Sequence, residues 1–139
     1  LFSNSLAPAI TNASIKVMDM VSENTEWRDK LEWNANYFRE QITEAGLCIR
    51  PGDTPIVPVM LFNAKLANDM ARDMYAEGIY VIGFFFPVVP AGAARIRVQL
   101  SAAHDKAMID KAVAAFKTAG EKYGILGLDK KGIIAKYGM

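Results

Sequence analysis

The sequence is poor in the residues that build disulfides and metal sites. Its 139 residues include one cysteine, Cys48, and one histidine, His104. A single cysteine cannot form an intrachain disulfide, which suits a reducing compartment. One histidine and one cysteine are also too few for an ordinary His/Cys zinc site, so we expect no metal centre. Stability must therefore come from a packed apolar core, and 52% of the residues are hydrophobic.

The sequence also lacks an excess of charge of either sign. Sixteen basic and 15 acidic side chains leave a formal net charge of +1. This balance gives no general attraction to nucleic acid or to an anionic membrane, so we predict neither partner and expect any anion binding to be local. The longest apolar run, residues 78–94, is interrupted by Gly83, Pro87 and Pro90. It is too short and too broken to span a bilayer.

Several common catalytic motifs are missing. There is no GxGxxG fingerprint and no phosphate-binding P-loop, and no lysine lies in a context that marks a Schiff-base former. Asp69, Asp73 and Glu77 have helical spacing, which favours a solvated helix face over a paired-carboxylate site. Ser101 is predicted to cap a helix because no triad partners are recognisable, and Asp105 is the alternative cap.

What the sequence does contain is an alternation of helical and strand patterns. The order is helix, helix, strand, helix, strand, strand, helix, which predicts an α+β domain with helices covering one face of a small sheet. The two later strands are joined by a short loop, so we expect them to pair antiparallel. The predicted helices are 9–21, 25–46, 63–78 and 101–124, and the predicted strands are 56–61, 79–86 and 95–100.

Individual positions within these elements carry further expectations. Thr25 is expected to cap the second helix, and Pro58 is expected to place its strand at an edge or a bulge. Tyr75 is expected on the buried side of the third helix together with Met70 and Met74, and the Phe84–Phe86 run is expected in the core. The segment after Gly124 is weakly patterned and is expected to fray.

The strand RIRVQL places charged side chains inside an apolar region. Its period of two puts Arg95, Arg97 and Gln99 on one face and aliphatic residues on the other. The pattern alone favours a water-facing strand surface. The alternative is that one guanidinium binds a carboxylate or phosphate, and periodicity cannot choose between the two. His104 is predicted to cap or pack, because no partner for a catalytic base is visible.

Two stretches resemble one known family. FSNSLAPAI (2–10) and GIYVIGFFFPVVPAGAARIRVQLSAAH (78–104) are similar to the α-oxoamine synthases, which are pyridoxal-phosphate (PLP) acyltransferases of the aspartate-aminotransferase-like fold. The resemblance implies the C-terminal third of such an enzyme. Residues 1–24 would end the large domain and start a connecting helix, and residues 25–139 would complete that helix and form the small domain. The cofactor-binding lysine would then lie upstream.

The resemblance also implies an activity for the parent enzyme. It would condense glycine with acetyl-CoA to give 2-amino-3-ketobutyrate and CoA, and would run in reverse in threonine breakdown. It would act as a homodimer with PLP, in a bacterial cytoplasm or, in a eukaryote, in mitochondria. The chain alone would be inactive. The alternatives are a family member that uses another acyl-CoA and a non-catalytic interaction module.

The same resemblance assigns few site residues and no catalytic residue within this chain. Arg97 corresponds to the arginine that holds the amino-acid carboxylate. Phe2 and Ser3 correspond to the loop that reaches the cofactor phosphate of the other subunit, through a backbone amide and a hydroxyl. No role transfers to Arg95.

Overall fold

The structure, a computed structural model, describes residues 4–138 and has the predicted α+β architecture. In that range, two N-terminal helices are followed by a strand, a helix, two strands and two helices. The elements are α1 (Pro8–Glu23), α2 (Glu26–Glu44), β1 (Ile56–Phe62), α3 (Ala64–Ala76), β2 (Gly83–Phe84), β3 (Ala94–Gln99), α4 (Lys106–Tyr123) and α5 (Lys130–Tyr137).

The three strands form one antiparallel sheet in the order β1-β3-β2. The predicted antiparallel pairing of β2 with β3 is confirmed, with Phe84 opposite Arg95. Pro58 lies on the edge strand β1, as predicted, opposite Arg97. A proline lacks the backbone N–H that a central strand would need, so the edge is where it is tolerated.

The strand predicted over 79–86 is much shorter in the structure. Only Gly83–Phe84 pairs with β3, and the chain then turns, with the amides of Val88 and Val89 donating to the carbonyl of Phe85. The expectation that the phenylalanine run is core is wrong, because Phe84 is half-buried outside the core cluster and Phe85 and Phe86 are exposed. The turn carries these two side chains away from the apolar face of the sheet.

The core lies on one face of the sheet. Val57, Val59 and Ile96 project from the strands and are fully buried against side chains of α2, α3 and α4. Met70 and Met74 of α3 are buried as predicted, but Tyr75 is 68% exposed. Tyr75 is one residue, and thus about 100° of helical rotation, beyond Met74, which takes it off the buried face.

The helix caps differ from the predicted ones in two places. The Thr25 side chain does not cap the backbone of α2; its hydroxyl donates to Asp29, and Asn24 accepts from the amide of Glu26. Asp105, rather than Ser101, caps α4 by accepting from the amide of Met108 at 2.8 Å.

The segment after Gly124 is also more ordered than predicted. It forms α5, whose Asp129 cap accepts from the amide of Gly132. Ile133 of this helix is 1% exposed, and α5 packs on β1. Burial of an apolar side chain therefore stabilises a helix whose sequence pattern is weak.

Helix α1 differs from the other helices because it has no buried residue. Its six large apolar side chains are each between 45% and 66% exposed. They are Ile10, Ile15, Val17, Met18, Met20 and Val21. No helix within residues 4–138 is long and apolar enough to cross a membrane.

Gly83 allows β2 to approach α3 closely. A Cβ atom at this position would lie 3.0 Å from the carbonyl oxygen of Ala67 and 3.1 Å from its carbonyl carbon, both of them backbone atoms that cannot swing aside. Gly83 also pairs with Ile96, so this close approach determines where the neighbouring Phe84 sits.

We predict that Gly83→Ala lowers the free energy of unfolding by about 1–3 kcal/mol, because the added methyl group overpacks against the backbone of α3. Urea unfolding measures the change. Gly52→Ala is the matched control, since a Cβ there meets only a side-chain nitrogen of Arg39 at 4.0 Å. The control should differ from wild type by less than about 0.5 kcal/mol. Equal effects of the two variants would contradict the close-packing role of Gly83.

Asp73 ties α3 to α4 through two hydrogen bonds. Its Oδ2 accepts from Lys122 Nζ at 2.6 Å and from the Tyr123 hydroxyl at 2.7 Å. The bond from Lys122, and then the bond from Tyr123, hold the pKa of Asp73 below its ordinary value. Burial, and then the hydrogen bond to Asp73, raise the pKa of Tyr123 to about 12. The two helices are therefore joined best when Asp73 is ionised and Tyr123 is protonated.

We predict that Asp73→Asn lowers the free energy of unfolding by about 1 kcal/mol at pH 7. Because the pKa of Asp73 is lower in the folded state, its contribution is complete above the unfolded-state pKa of about 3.9 and is lost as the pH falls through the folded value. The difference between wild type and variant should therefore shrink below about pH 4. Asp53→Asn, which removes an exposed carboxylate, serves as the control in urea unfolding at each pH. A difference that persists unchanged at pH 2 would disprove the ionic origin.

Candidate functional site

A cavity of about 670 Å³ lies at the carboxyl end of β3. One wall is the extended segment 78–82 that follows α3, and another is the first half of α4. The remaining wall is β3 itself with the turn that follows it. The cavity therefore forms where the segment 78–82, β3 and α4 meet. Its shape depends on the packing of α3 and α4 against the sheet.

Arg97 lies at this cavity on the face of β3 opposite the buried Ile96. Its guanidinium carbon is 4.4 Å from the centroid of the Phe84 ring, which is a cation–π contact. The sheet register explains the contact. Phe84 is opposite Arg95, so Arg97 is its diagonal neighbour on the same face. The aromatic ring supports one side of the guanidinium and leaves its N–H donors available.

The predicted alternation of β3 is confirmed, and the binding of an anion by Arg97 stays a prediction. The Arg97 side chain is exposed, which agrees with a water-facing strand surface, and it also lines a cavity. No carboxylate forms an ion pair with it in the described part of the chain. Arg95 is half-buried outside the cavity lining, and it too has no ion-pair partner within residues 4–138.

The turn after β3 is held by a buried side chain whose role sequence reasoning missed. Asn34 of α2 is fully buried, and its Nδ2 donates to the carbonyl oxygens of Ser101 at 2.8 Å and His104 at 3.0 Å. Two carbonyl acceptors fix which end of the amide faces the turn, because only the amide nitrogen can donate. The sequence did contain a signal for this role, because Asn34 is a polar residue on the apolar face of its helix, at helical spacing from Phe38 and Ile42.

Within the same turn, the His104 ring has a defined tautomer. Its Nδ1 accepts a hydrogen bond from the backbone amide of Ser101 at 3.2 Å, so Nδ1 carries no proton and the neutral ring carries its proton on Nε2. The Ser101 hydroxyl accepts from the amide of Ala103 at 3.1 Å. His104 does not cap α4, since Asp105 does so; its ring closes the turn before the helix and also lines the cavity.

The charge around the cavity favours anions. Arg97 and Lys111 line it, and none of its described lining residues is Asp or Glu. The ammonium group of Lys111 lies beside Gly78, where an added Cβ would be 3.4 Å from it. Two cations without a counter-charge in the lining create a positive local potential in a protein of nearly zero net charge.

The acidic residues of α3 are occupied elsewhere. Asp69 pairs with Lys65 and with Arg72 on the helix surface, and these contacts lower its pKa, with the hydrogen bond from Lys65 as the largest cause. Asp69 and Asp73 are therefore paired and only partly exposed, unlike the predicted solvated helix face, whereas Glu77 is exposed as predicted. Residues 4–138 contain no group of three or more His, Cys, Asp or Glu that could hold a metal ion.

The two remaining predicted site residues, Phe2 and Ser3, lie outside the residues that the structure describes.

Comparison with known proteins identifies the family. The model of the aminotransferase class I and II family matches residues 1–116, and the chain belongs to that family. The 2-amino-3-ketobutyrate coenzyme A ligase of Escherichia coli K12 is 54% identical over 126 residues, which are 91% of this chain and 32% of that protein. The mitochondrial ligase of the mouse is 44% identical over the same length.

More distant relatives agree with the resemblance to α-oxoamine synthases. The 8-amino-7-oxononanoate synthase of Thermosipho melanesiensis is 39% identical. A serine palmitoyltransferase from S. paucimobilis, solved with a PLP–myriocin aldimine, has a TM-score of 0.82 at 26% identity over 91% of this chain and 32% of that one. The chain thus spans about a third of the length of the relatives it matches, and its fold is that of their PLP-enzyme family.

We predict that Asn34→Ala lowers the free energy of unfolding by about 1–3 kcal/mol, since it removes the hydrogen-bond donor of two carbonyl groups at a buried position. The exposed neighbour Asn36→Ala is the control and should stay within about 0.5 kcal/mol of wild type. Thermal and urea unfolding measure both variants. If Asn34→Ala is as stable as its control, Asn34 does not hold the turn.

Proposed function

We propose that the chain is the C-terminal part of a PLP-dependent glycine C-acetyltransferase, which condenses glycine with acetyl-CoA to give 2-amino-3-ketobutyrate and CoA. The reverse reaction would serve threonine breakdown. The sequence similarity to 2-amino-3-ketobutyrate coenzyme A ligases over 91% of the chain supports this choice. The observation that carries it is Arg97, a guanidinium without an ion-pair partner in residues 4–138 that lies in a cavity lined by no described acid.

The role of Arg97 in this proposal is to bind the glycine carboxylate. A guanidinium presents paired N–H donors that match the two oxygens of a carboxylate, whereas lysine offers a point charge. Phe84 restricts the guanidinium on one side, so less conformational freedom is lost on binding. A carboxylate held by two bonds cannot rotate freely, and this fixes the direction in which the Cα–H bonds of glycine point.

Two hydrogen-bond donors near the start of the chain are suited to the phosphate group of the cofactor. The Ser3 hydroxyl and the Phe2 amide are hydrogen-bond donors of the kind that bind a phosphate, and we assign them to the PLP phosphate of the partner subunit in a homodimer. When bound, PLP supplies an electron sink for the carbanion formed at the amino-acid α-carbon. The covalent lysine would belong to the part of the enzyme upstream of this chain.

The proposed division of the chain has a structural counterpart. Helix α1 ends at Glu23 and α2 begins at Glu26, with Asn24 in an extended conformation between them. This break supports a boundary near residue 24, with the α1 segment assigned to the end of the large domain and residues 25–139 to the connecting helix and small domain. A bacterial cytoplasm, or mitochondria in a eukaryote, remains the proposed location.

The proposal is tested in the full-length enzyme with Arg97→Lys. We expect the KM for glycine to rise at least about tenfold, equivalent to about 1.4 kcal/mol, because the charge is kept and the paired donors are lost. Glycine-dependent release of CoA from acetyl-CoA gives the KM, and the absorbance of bound PLP reports cofactor retention. The alternative acyl donors of the family are compared by replacing acetyl-CoA with longer acyl-CoA thioesters.

Arg95→Lys is the matched control, since Arg95 lies two residues away on the same strand face and does not line the cavity. It should keep the wild-type KM for glycine. If both variants behave like wild type, Arg97 does not bind the carboxylate. If the enzyme releases no CoA with any acyl-CoA tested, the interaction-module alternative is favoured over the enzymatic one.

A further inference from the structure

The cavity has more room than glycine needs. Its volume of about 670 Å³ is in the range typical of sites for drug-sized ligands, roughly 300–1,000 Å³, and glycine is far smaller. If Arg97 binds the carboxylate, as the proposed function has it, most of the cavity is left for another ligand group. In the proposed reaction, the ligands larger than glycine are PLP and the acyl thioester, and of these two the thioester has the long, flexible arm that can extend along an apolar wall.

The second polar end of the cavity lies away from Arg97. From Arg97 to Leu100 the chain advances about 10 Å at the usual rise of an extended strand, and the turn with His104 follows. A small amino acid held by Arg97 does not extend over this distance. The cavity lining includes the apolar Ile79, Val81 and Met108, together with the polar Gln99. Such a lining suits the methylene groups of a long, flexible acyl carrier.

His104 is the polar group at this end whose orientation is fixed. Ser101 N–H occupies Nδ1, and Asn34 holds the carbonyl groups at both ends of the turn. The ring therefore offers one neutral donor, Nε2–H, for which the described part of the chain provides no acceptor. A neutral donor suits an uncharged oxygen, such as the carbonyl of a thioester or of an amide.

We propose that His104 is a substrate-contacting residue for the acyl donor and that its Nε2–H donates to a carbonyl oxygen in the thioester and amide arm of acetyl-CoA. Asn34 acts through the turn as a positioning residue for His104. The proposal rests on the proposed function and adds a second contact to the Arg97 site. The competing possibility is that His104 only closes its turn.

Two substitutions of His104 in the full-length enzyme separate these possibilities. In His104→Asn, the side-chain oxygen can reach the position of Nδ1 and accept from Ser101, but the donor at the position of Nε2 is lost. In His104→Gln, the amide nitrogen reaches the position of Nε2, so the donor is kept and the turn contact is lost. We expect His104→Asn to raise the KM for acetyl-CoA about five- to tenfold, the fold-change of one neutral hydrogen bond, while the KM for glycine changes less than about twofold.

His104→Gln should retain a KM for acetyl-CoA within about threefold of wild type, even if its thermal midpoint falls. The opposite ranking, with His104→Asn like wild type and His104→Gln impaired, would show that the ring only closes the turn. A rise in the KM for glycine instead of acetyl-CoA would also overturn the proposal. Arg97→Lys is measured in parallel. A wild-type KM for glycine in that variant refutes the carboxylate contact of the proposed function, whatever His104 does.

Discussion

The central position of β3 is the constraint on which the other features of this domain depend. A strand with neighbours on both sides cannot rotate about its axis, and its side chains alternate strictly between the two faces. Burial of Ile96 in the core therefore commits Arg97 to the opposite face. A shift of one residue in register would exchange the two and bury a guanidinium, which the unpaired charge makes very costly. The site is positioned by the same packing that stabilises the fold.

The elements next to β3 place other side chains around Arg97 and so form the candidate site. Gly83 lets β2 approach α3 closely, and the adjacent Phe84 then reaches the Arg97 guanidinium. Outside the cavity lining, Asp73 joins α3 to the end of α4 through Lys122 and Tyr123. These contacts stabilise the packing of the two helices on the sheet.

The end of β3 shows how a buried polar group can serve a site indirectly. Asn34 lies in the core at a position where an aliphatic residue would bury more apolar surface. Its two hydrogen bonds compensate for desolvation of the amide nitrogen and hold the turn that orients His104, whereas its Oδ1 is buried without a partner in residues 4–138. The chain thus joins an unpaired guanidinium and a neutral donor to one rigid sheet, and a site built on rigid elements needs little reorganisation when ligands bind.

The sequence by itself determined the elements with strong periodicity and the two faces of one charged strand. Alternation predicted the two faces of β3, Pro58 predicted an edge strand, and the motif around Arg97 indicated the PLP-enzyme family that residues 1–116 match. These features follow from local geometry, because a strand alternates and a proline lacks an N–H wherever they occur.

Only the tertiary structure decided which of these residues meet. The short β2, the exposure of Phe86 and the ordered α5 each depend on contacts with distant parts of the chain, which periodicity does not encode. The link from Asn34 to His104 spans 70 positions in the sequence, and no local pattern predicts it. Hydrogen bonds and cavities form between elements, so their partners are set by packing, whereas the alternation within an element is set by its own backbone.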